Sequence, residues 1–319
     1  MPDSWYPVCP SAALPRGRAL AVQAFGRRLA VFRCDDGSCG VLDARCRHFG
    51  ADLSRGMVIG KALRCPLHGR AFDGKGASAD AGRAHDSGQP AFPCIERFGL
   101  VFAFHGGVPS FPLPFPVGIP PDVHTSAHVT TMMLPMVCVG ANAFDTAHLS
   151  LVHGRELIGR PEVEVLSQHT ISIGFTARVS GDSLKDRLLR WLGHGEVRVE
   201  TTCWGGNLLI FHHRRVGTFT VHAALPVDAS STTVFTVSGR ASPRRGLARA
   251  RERLRLAVHH RAVMSIVRQD ETALAGLSLS PSVSGGSATG AGTLDPLGDH
   301  ALTAWLEHFH ALPRSGTAA

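Results

Sequence analysis

Two cysteine–histidine pairs constrain this chain more than any other feature: Cys46-Arg47-His48 and, after sixteen intervening residues, Cys65-Pro66-Leu67-His68. Each pair reads as a strand-to-loop turn with a glycine close behind, Gly50 and Gly69, and a fold that uses both must bring the turns together. Two thiolates can hold one iron of a [2Fe–2S] pair and two imidazoles the other. Neutral imidazoles in place of thiolates lower the negative charge and raise the reduction potential. Tight loops also leave backbone N–H groups facing the sulfides. Zinc is the rival, because two cysteines and two histidines suit a tetrahedral structural ion. Zinc fingers, however, pair Cys with Cys and His with His, whereas each half here is mixed. Four unrelated residues is the bland alternative, and two spaced pairs within 23 residues count against it. Iron–sulfur is the stronger reading.

The surrounding sequence is β-like. Over 17–108, short apolar runs alternate with turns: Arg28-Leu29-Ala30-Val31-Phe32 and Gly40-Val41-Leu42 flank an Asp36-Gly37 turn, and further strands are expected at Ala62–Arg64 and Gly99–Phe104. The stretch from Pro109 to Pro116, ending at Pro120-Pro121, is too proline-dense for helix or central strand. It reads as a stiff connector and places a domain boundary there. Beyond it, 141–153 has a helical pattern, 160–240 returns to β alternation, and Leu247 to about Leu277 reads as a long amphipathic helix with Leu247, Leu254, Val258, Met264 and Val267 among its apolar positions. A Gly/Ser-rich loop over 278–292 precedes a last helix containing Ala304, Trp305 and Phe309.

At 319 residues, 44% hydrophobic and 18% charged, the chain can bury a real core. Its net charge of +8 is almost all arginine, the lysines being Lys61, Lys75 and Lys185. The aromatics are not interleaved with these cations as a stacking groove requires, so no nucleic-acid partner is expected. Met1-Pro2-Asp3-Ser4-Trp5 lacks the charged start and apolar run of a leader, and no apolar window is long enough to span a bilayer. Eight cysteines are too sparse for a disulfide framework. The expectation is a cytoplasmic protein with no membrane contact.

A second constellation follows the connector: Asn142, Asp145, His148 and His153. Asp145 and His148 are three apart and share a helical face, so the carboxylate can orient the imidazole. His148 and His153 are five apart, which an unbroken helix would splay by well over a right angle. Both can reach one metal only if the helix ends or changes pitch between them, a change Ser150 would assist. Two ordinary helix-face histidines are the bland reading, in a chain with 18 histidines.

Cys-x-His followed by Cys-x-x-His, with Asp52-Leu53-Ser54-Arg55-Gly56 and Phe72-Asp73 nearby, resembles the Rieske signature. Ala51 and Leu67 stand where respiratory Rieske proteins carry a disulfide, so the resemblance is to the oxygenase branch. Within that branch Phe49 replaces a common arginine and Arg70 a common aromatic. The run Asn142-x-x-Asp145-x-x-His148-x4-His153 is similar to the mononuclear iron motif of Rieske oxygenases, with Ala141 where an acidic residue is usual. The resemblance implies an α+β chain: a small all-β domain over 1–108 whose Cys46, His48, Cys65 and His68 bind a Rieske [2Fe–2S] cluster, a linker over 109–121, and a larger domain over 122–319 with an antiparallel sheet flanked by helices. It implies Fe(II) held by His148, His153 and a downstream carboxylate, for which Asp270 is the choice and Glu271 the reserve. It further implies a homotrimer in which Asp145 bridges His148 to a cluster histidine, His68, of a neighbour.

The expected activity is that of an oxygenase component, fed by a reductase or ferredoxin, that monooxygenates a largely apolar ring compound by hydroxylation, demethylation or amine oxidation. Phe144, Leu149, Trp204 and Phe211 are the candidate pocket residues. The arginines from Arg240 to Arg255 read as a solvated face or a dock for an acidic ferredoxin. The competing reading is a Rieske-type electron-transfer or redox-sensing protein without oxygenase activity, which would hold cluster iron alone. A zinc-binding structural protein would be colourless.

Overall fold

The computed structural model describes residues 1–80, 88–120, 122–182, 186–187, 190, 195–242, 246–275 and 299–315. The backbone gathers into two compact units, one from Met1–Leu113 with Leu225–Val227 and the residues from Pro313 onward, the other from Pro114–Ala224 and Asp228–Leu312. The Gly/Ser-rich loop expected over 278–292 lies outside the described residues.

The first unit is built from short strands: β1 (Ser4–Pro10), β2 (Arg18–Ala24), β3 (Arg27–Arg33), β4 (Cys39–Asp43), β5 (Met57–Ile59), β6 (Ala62–Arg64), β7 (Ala71–Phe72), β8 (Cys94–Arg97) and β9 (Leu100–His105). They form three antiparallel three-stranded sheets, ordered β1-β9-β8, β2-β3-β4 and β5-β6-β7. Strand β3 sits in the middle of its sheet, and its unbroken apolar run Leu29-Ala30-Val31-Phe32 is buried on both faces. The expected hairpin joins β3 to β4 with Phe32 opposite Gly40. Its turn is tied by Asp36 Oδ1, which accepts from the backbone N–H of Ser38 at 2.9 Å and its hydroxyl at 2.6 Å. Phe32, Leu42, Leu53, Leu63 and Phe72 make one core, and Cys46 and Cys65 belong to it.

The second unit holds β10 (Val123–Met132), α1 (Met136–Phe144), α2 (Leu149–His153), β11 (Arg155–Ser167), β12 (Thr170–Val179), β13 (Glu196–Trp204), β14 (Leu208–His213), β15 (Thr218–Pro226), β16 (Thr232–Ala241), α3 (Leu247–Ala273) and α4 (His300–Ala311). Its seven strands form one sheet in the order β10-β16-β15-β14-β13-β12-β11. Helix α3 packs on β10 and β16 at one end, while α4 packs on α1, β11 and β12 at the other. Phe144 and Trp305 anchor the second contact, with ring centroids 6.0 Å apart among Ile171, Ile173 and Leu209. The middle of the sheet face is left uncovered by these contacts, and a cavity opens there.

Two helical expectations are corrected. The run 141–153 is not one helix: α1 stops at Phe144, Asp145 caps it with extended backbone (φ −75°, ψ 105°), and α2 starts anew after His148. Helix α3 ends at Ala273 rather than near Leu277, and Leu247, Leu254 and Val258 are 90%, 68% and 63% exposed. The buried stripe is Leu256, Val263, Met264 and Val267. Both stripes have helical spacing, and only packing against β10 and β16 selects the second.

Candidate metal centres and the cavity

The two Cys–His loops are built alike. In the first, the Cys46 N–H donates to the Ala51 carbonyl (2.9 Å) and the Gly50 N–H to the Cys46 carbonyl (2.8 Å). In the second, Cys65 N–H donates to Arg70 (2.7 Å) and Gly69 N–H to Cys65 (3.0 Å). Closing each loop takes a residue in left-handed backbone, and Gly50 (φ +79°) and Gly69 (φ +68°) supply it. Cys46 and Cys65 are 2% and 4% exposed, whereas His48 and His68 lie at the surface with ring centroids 4.7 Å apart. Burial pushes the Cys46 thiol up, and backbone N–H groups of His48 and Phe49 pull the other way, aimed at the sulfur. Gln89, which sequence reasoning missed, locks the first loop. Its amide donates to the carbonyls of Asp43 and Arg45, both at 2.8 Å, and its oxygen accepts from the Arg47 N–H at 3.0 Å.

This donor set fits a two-iron cluster better than one ion. Among the described residues, the one set of metal-type side chains with three donor atoms all within 4.8 Å of one another is His148, His153 and Asp270; the Cys46, His48, Cys65 and His68 donors do not meet that condition. A tetrahedral ion, with bonds of about 2.0–2.3 Å, would draw its four donors inside that distance. Two buried thiols and two outward imidazoles divide instead as one pair per iron. Phe49 is 77% exposed beside both imidazoles, its ring centroid 6.4 Å from His48 and 6.2 Å from His68.

In the second unit, the short helix α2, with its N-cap, carries both histidines. His148 precedes α2, His153 ends it, and Gly154 in left-handed backbone (φ +60°) closes the turn by donating five residues back to Leu149. The wide closure removes the splay of an unbroken helix, and the rings sit 5.2 Å apart. Each imidazole has one nitrogen toward an orienting group and one toward Asp270. His148 Nδ1 lies 3.3 Å from Asp145 Oδ2, and its Nε2 lies 3.9 Å from Asp270 Oδ1. His153 Nδ1 lies 3.1 Å from Gln269 Oε1, and its Nε2 lies 2.9 Å from Asp270 Oδ1. Since an amide oxygen only accepts, Gln269 holds the proton on Nδ1 and turns the Nε2 lone pair toward a carboxylate oxygen. Two acceptors face each other across a separation close to the roughly 3 Å of neighbouring ligands each about 2.1 Å from one ion. Asp270 Oδ1 is buried without a hydrogen-bond partner. These are the marks of a cation site. Glu271, one residue on, is not part of the cluster.

Burial raises the Asp145 carboxyl, but contacts with His148 and the Ala147 N–H outweigh it and hold it below the usual range. Burial likewise lowers His153, and Asp270 with Gln269 more than reverses this.

The three donors face a cavity of about 590 Å³, within the range of drug-sized ligand sites. Of the expected pocket residues, Leu149 and Phe211 line it. Phe144 does not: it is fully buried against Trp305. Trp204 is also absent from the lining, because it ends β13 beyond Val197 and Val199, the residues of that strand that reach the cavity. The sequence reading missed His213, His222, His259 and Gln269, which do line it. Alternation along β14 and β15 was the available signal, obscured by the abundance of histidine.

A family model described as the Rieske [2Fe-2S] domain matches residues 4–111, the segment that carries both Cys–His loops. The chain carries a Rieske [2Fe–2S] domain. It is 28% identical over 251 residues, 72% of this chain and 48% of the relative, to the cholesterol 7-desaturase nvd of Hemicentrotus pulcherrimus. It is 29% identical, over 61% of this chain and 52% of the relative, to the oxygenase component of 3-ketosteroid-9-alpha-monooxygenase from Rhodococcus rhodochrous. The chain thus spans about half the length of these curated relatives. Among solved structures, dicamba monooxygenase bound to dicamba superposes with a TM-score of 0.65 at 18% identity, covering 97% of this chain and 96% of that one. Pseudomonas putida CBB5 NdmA with caffeine gives 0.67 at 17%, covering 97% and 94%. These similarities establish the Rieske oxygenase fold, a small β domain followed by a larger antiparallel-sheet domain. Two cofactors, a Rieske cluster and a mononuclear non-heme iron, fit the donors present. Among the described residues, no helix is long and apolar enough to cross a membrane.

Proposed function

We propose that this chain is the oxygenase component of a monooxygenase acting on a largely apolar ring compound, with Cys46, His48, Cys65 and His68 as cluster ligands and His148, His153 and Asp270 as ligands of Fe(II). The observation that carries the reading is the meeting of three iron-type donors at the wall of a mainly apolar cavity. When bound, the cluster supplies single electrons and the iron supplies a site where O2 is activated. The chain's own part is to hold and orient. Gln269 and Asp145 keep each imidazole's Nδ1 engaged and its Nε2 directed inward, and the Val197, Val199 and Leu209 side of the cavity excludes water from the bound ring.

Electrons would come from a reductase or ferredoxin, for which the exposed arginines of α3 offer a complementary surface to an acidic partner. The proposed assembly is a homotrimer in which Asp145 of one subunit is shared between its own His148 and His68 of a neighbour. Solvent-exposed His48 and His68 favour such docking. Six further cysteines without a disulfide partner suit a reducing compartment, and the cytoplasm is proposed.

The test is substrate-screened O2 consumption with a surrogate reductase, followed by product identification. Substrate-dependent uptake with one oxygen atom in the product is expected. Asp270→Ala should lose the mononuclear iron while keeping the cluster's visible spectrum, and Glu271→Ala should keep both. The reverse pattern in iron analysis would reassign the third ligand.

A further inference from the structure

The cavity is not uniformly apolar. On the sheet face that floors it, Phe175, Ala177, Val197 and Val199 form one side, whereas β14 and β15 present imidazoles and a hydroxyl. Antiparallel register puts Phe211 opposite Thr220 and Leu209 opposite His222, so these side chains share that face. Helix α3 adds His259 from above. The Thr220 hydroxyl joins two rings, 3.3 Å from His213 Nε2 and 3.4 Å from His259 Nε2, and the rings lie 4.9 Å apart. In such a chain one ring gives its N–H to the hydroxyl and the other receives the hydroxyl's proton. One Nδ1 then carries a spare N–H and the other a spare lone pair, whichever way the chain runs.

We infer that the His213–Thr220–His259 cluster is a specificity element that binds a neutral oxygen, carbonyl or hydroxyl, at the end of an elongated apolar substrate remote from the metal ligands. His259 precedes Asp270 by eleven residues on α3, which at 1.5 Å per residue separates their levels by about 16 Å. A molecule spanning the two ends is long and thin, the proportions of a fused-ring skeleton. The cluster suits a neutral oxygen rather than an anion. Arg155 is the one Lys or Arg among the described lining residues, and it is paired with Asp186 at 2.9 Å. Burial holds His213 and His259 at about 4, so both rings are uncharged near neutrality. A spare N–H meets a carbonyl, and a spare N–H with a spare lone pair meets a hydroxyl.

This inference deepens the proposed function and rests on it for what happens at the far end of the substrate, so its test is binding without turnover. The iron-loaded full-length protein, anaerobic and without reductant, would be titrated with androstenedione, with androstane (the same skeleton without oxygens) and with dehydroepiandrosterone sulfate, following tryptophan fluorescence. Androstenedione should bind at least ten-fold tighter than either comparison compound. His213→Phe, His259→Phe and the near-isosteric Thr220→Val should each remove most of that preference while leaving androstane affinity within about two-fold. Failure of androstenedione to bind, equal binding of the sulfate, or a preference unchanged in all three variants would overturn the inference. Binding as described with no O2 uptake on adding reductase would instead sink the oxygenase reading and leave the specificity element standing.

Discussion

Gln89 shows how much one residue contributes to the cluster loops. Three hydrogen bonds from a side chain 5% exposed tie Arg47, between the proposed cluster ligands Cys46 and His48, to the backbone of Asp43 and Arg45. Gln89→Leu removes the partner of three part-buried backbone groups, a loss of roughly 0.5–1.5 kcal/mol per hydrogen bond at most. The expected outcome is a lower denaturation midpoint and a weaker visible spectrum per chain, read in the same urea titration. The cavity histidines make a pH prediction. Burial depresses His213, His222 and His259 to about 4 from an ordinary 6.5. Between those values the unfolded chain binds more protons, so stability falls as pH drops from 6.5 toward 4 and levels off below. Carboxylates push in the same direction, so the comparison is with His213→Phe combined with His259→Phe. The doubly substituted protein should lose less of its thermal midpoint between pH 7.5 and 5 than the parent.

At the scale of elements, the broken α1–α2 segment and the α1–α4 contact matter most. Gly140 of α1 lies under the indole of Trp305, where a Cβ would overlap the ring. Trp305 is fully buried and stacked on Phe309 at 5.1 Å, so it has little room to yield. Gly140→Ala should cost about 1–3 kcal/mol through overpacking, despite alanine's better helix propensity. Chemical denaturation would register it, and a gain in stability would show that α4 slides freely. A departure from helix between His148 and His153 was half legible in advance from their five-residue spacing; the break between α1 and α2, which lies before His148, was not. What the departure was, a wide closure at Gly154, depends on which side chains turn inward, and no spacing rule contains that.

On the scale of the whole molecule, the proposed trimer carries its own prediction. Light scattering should give three times the 33.9 kDa chain mass. Asp145→Asn should keep that mass, both metals and the cluster spectrum, yet lose most turnover, because the amide still fits but cannot share a proton between two imidazoles. Normal turnover in that variant would remove Asp145 from the electron path. The apolar stripe of Leu247, Leu254 and Val258 belongs to this scale too. It repeats at helical spacing, exposed on the opposite side from Leu256, Val263 and Val267.

The sequence by itself determined the residue types and local spacing. Two Cys–His turns with a glycine behind each can be read one loop at a time, since the bonds that close each loop join residues five or fewer apart. The hairpin at Asp36-Gly37 was legible for the same reason. Only the tertiary structure decided which of two equal stripes on α3 faces the sheet, and with it that Asp270 rather than its neighbour Glu271 meets His148 and His153. It alone brought Gln269 to His153 across 116 positions of chain, and gathered His213, Thr220 and His259 from two strands and a helix. Those choices are made by burial, and burial depends on which surfaces meet. Periodicity says that a helix has two faces; only packing says which face is inside.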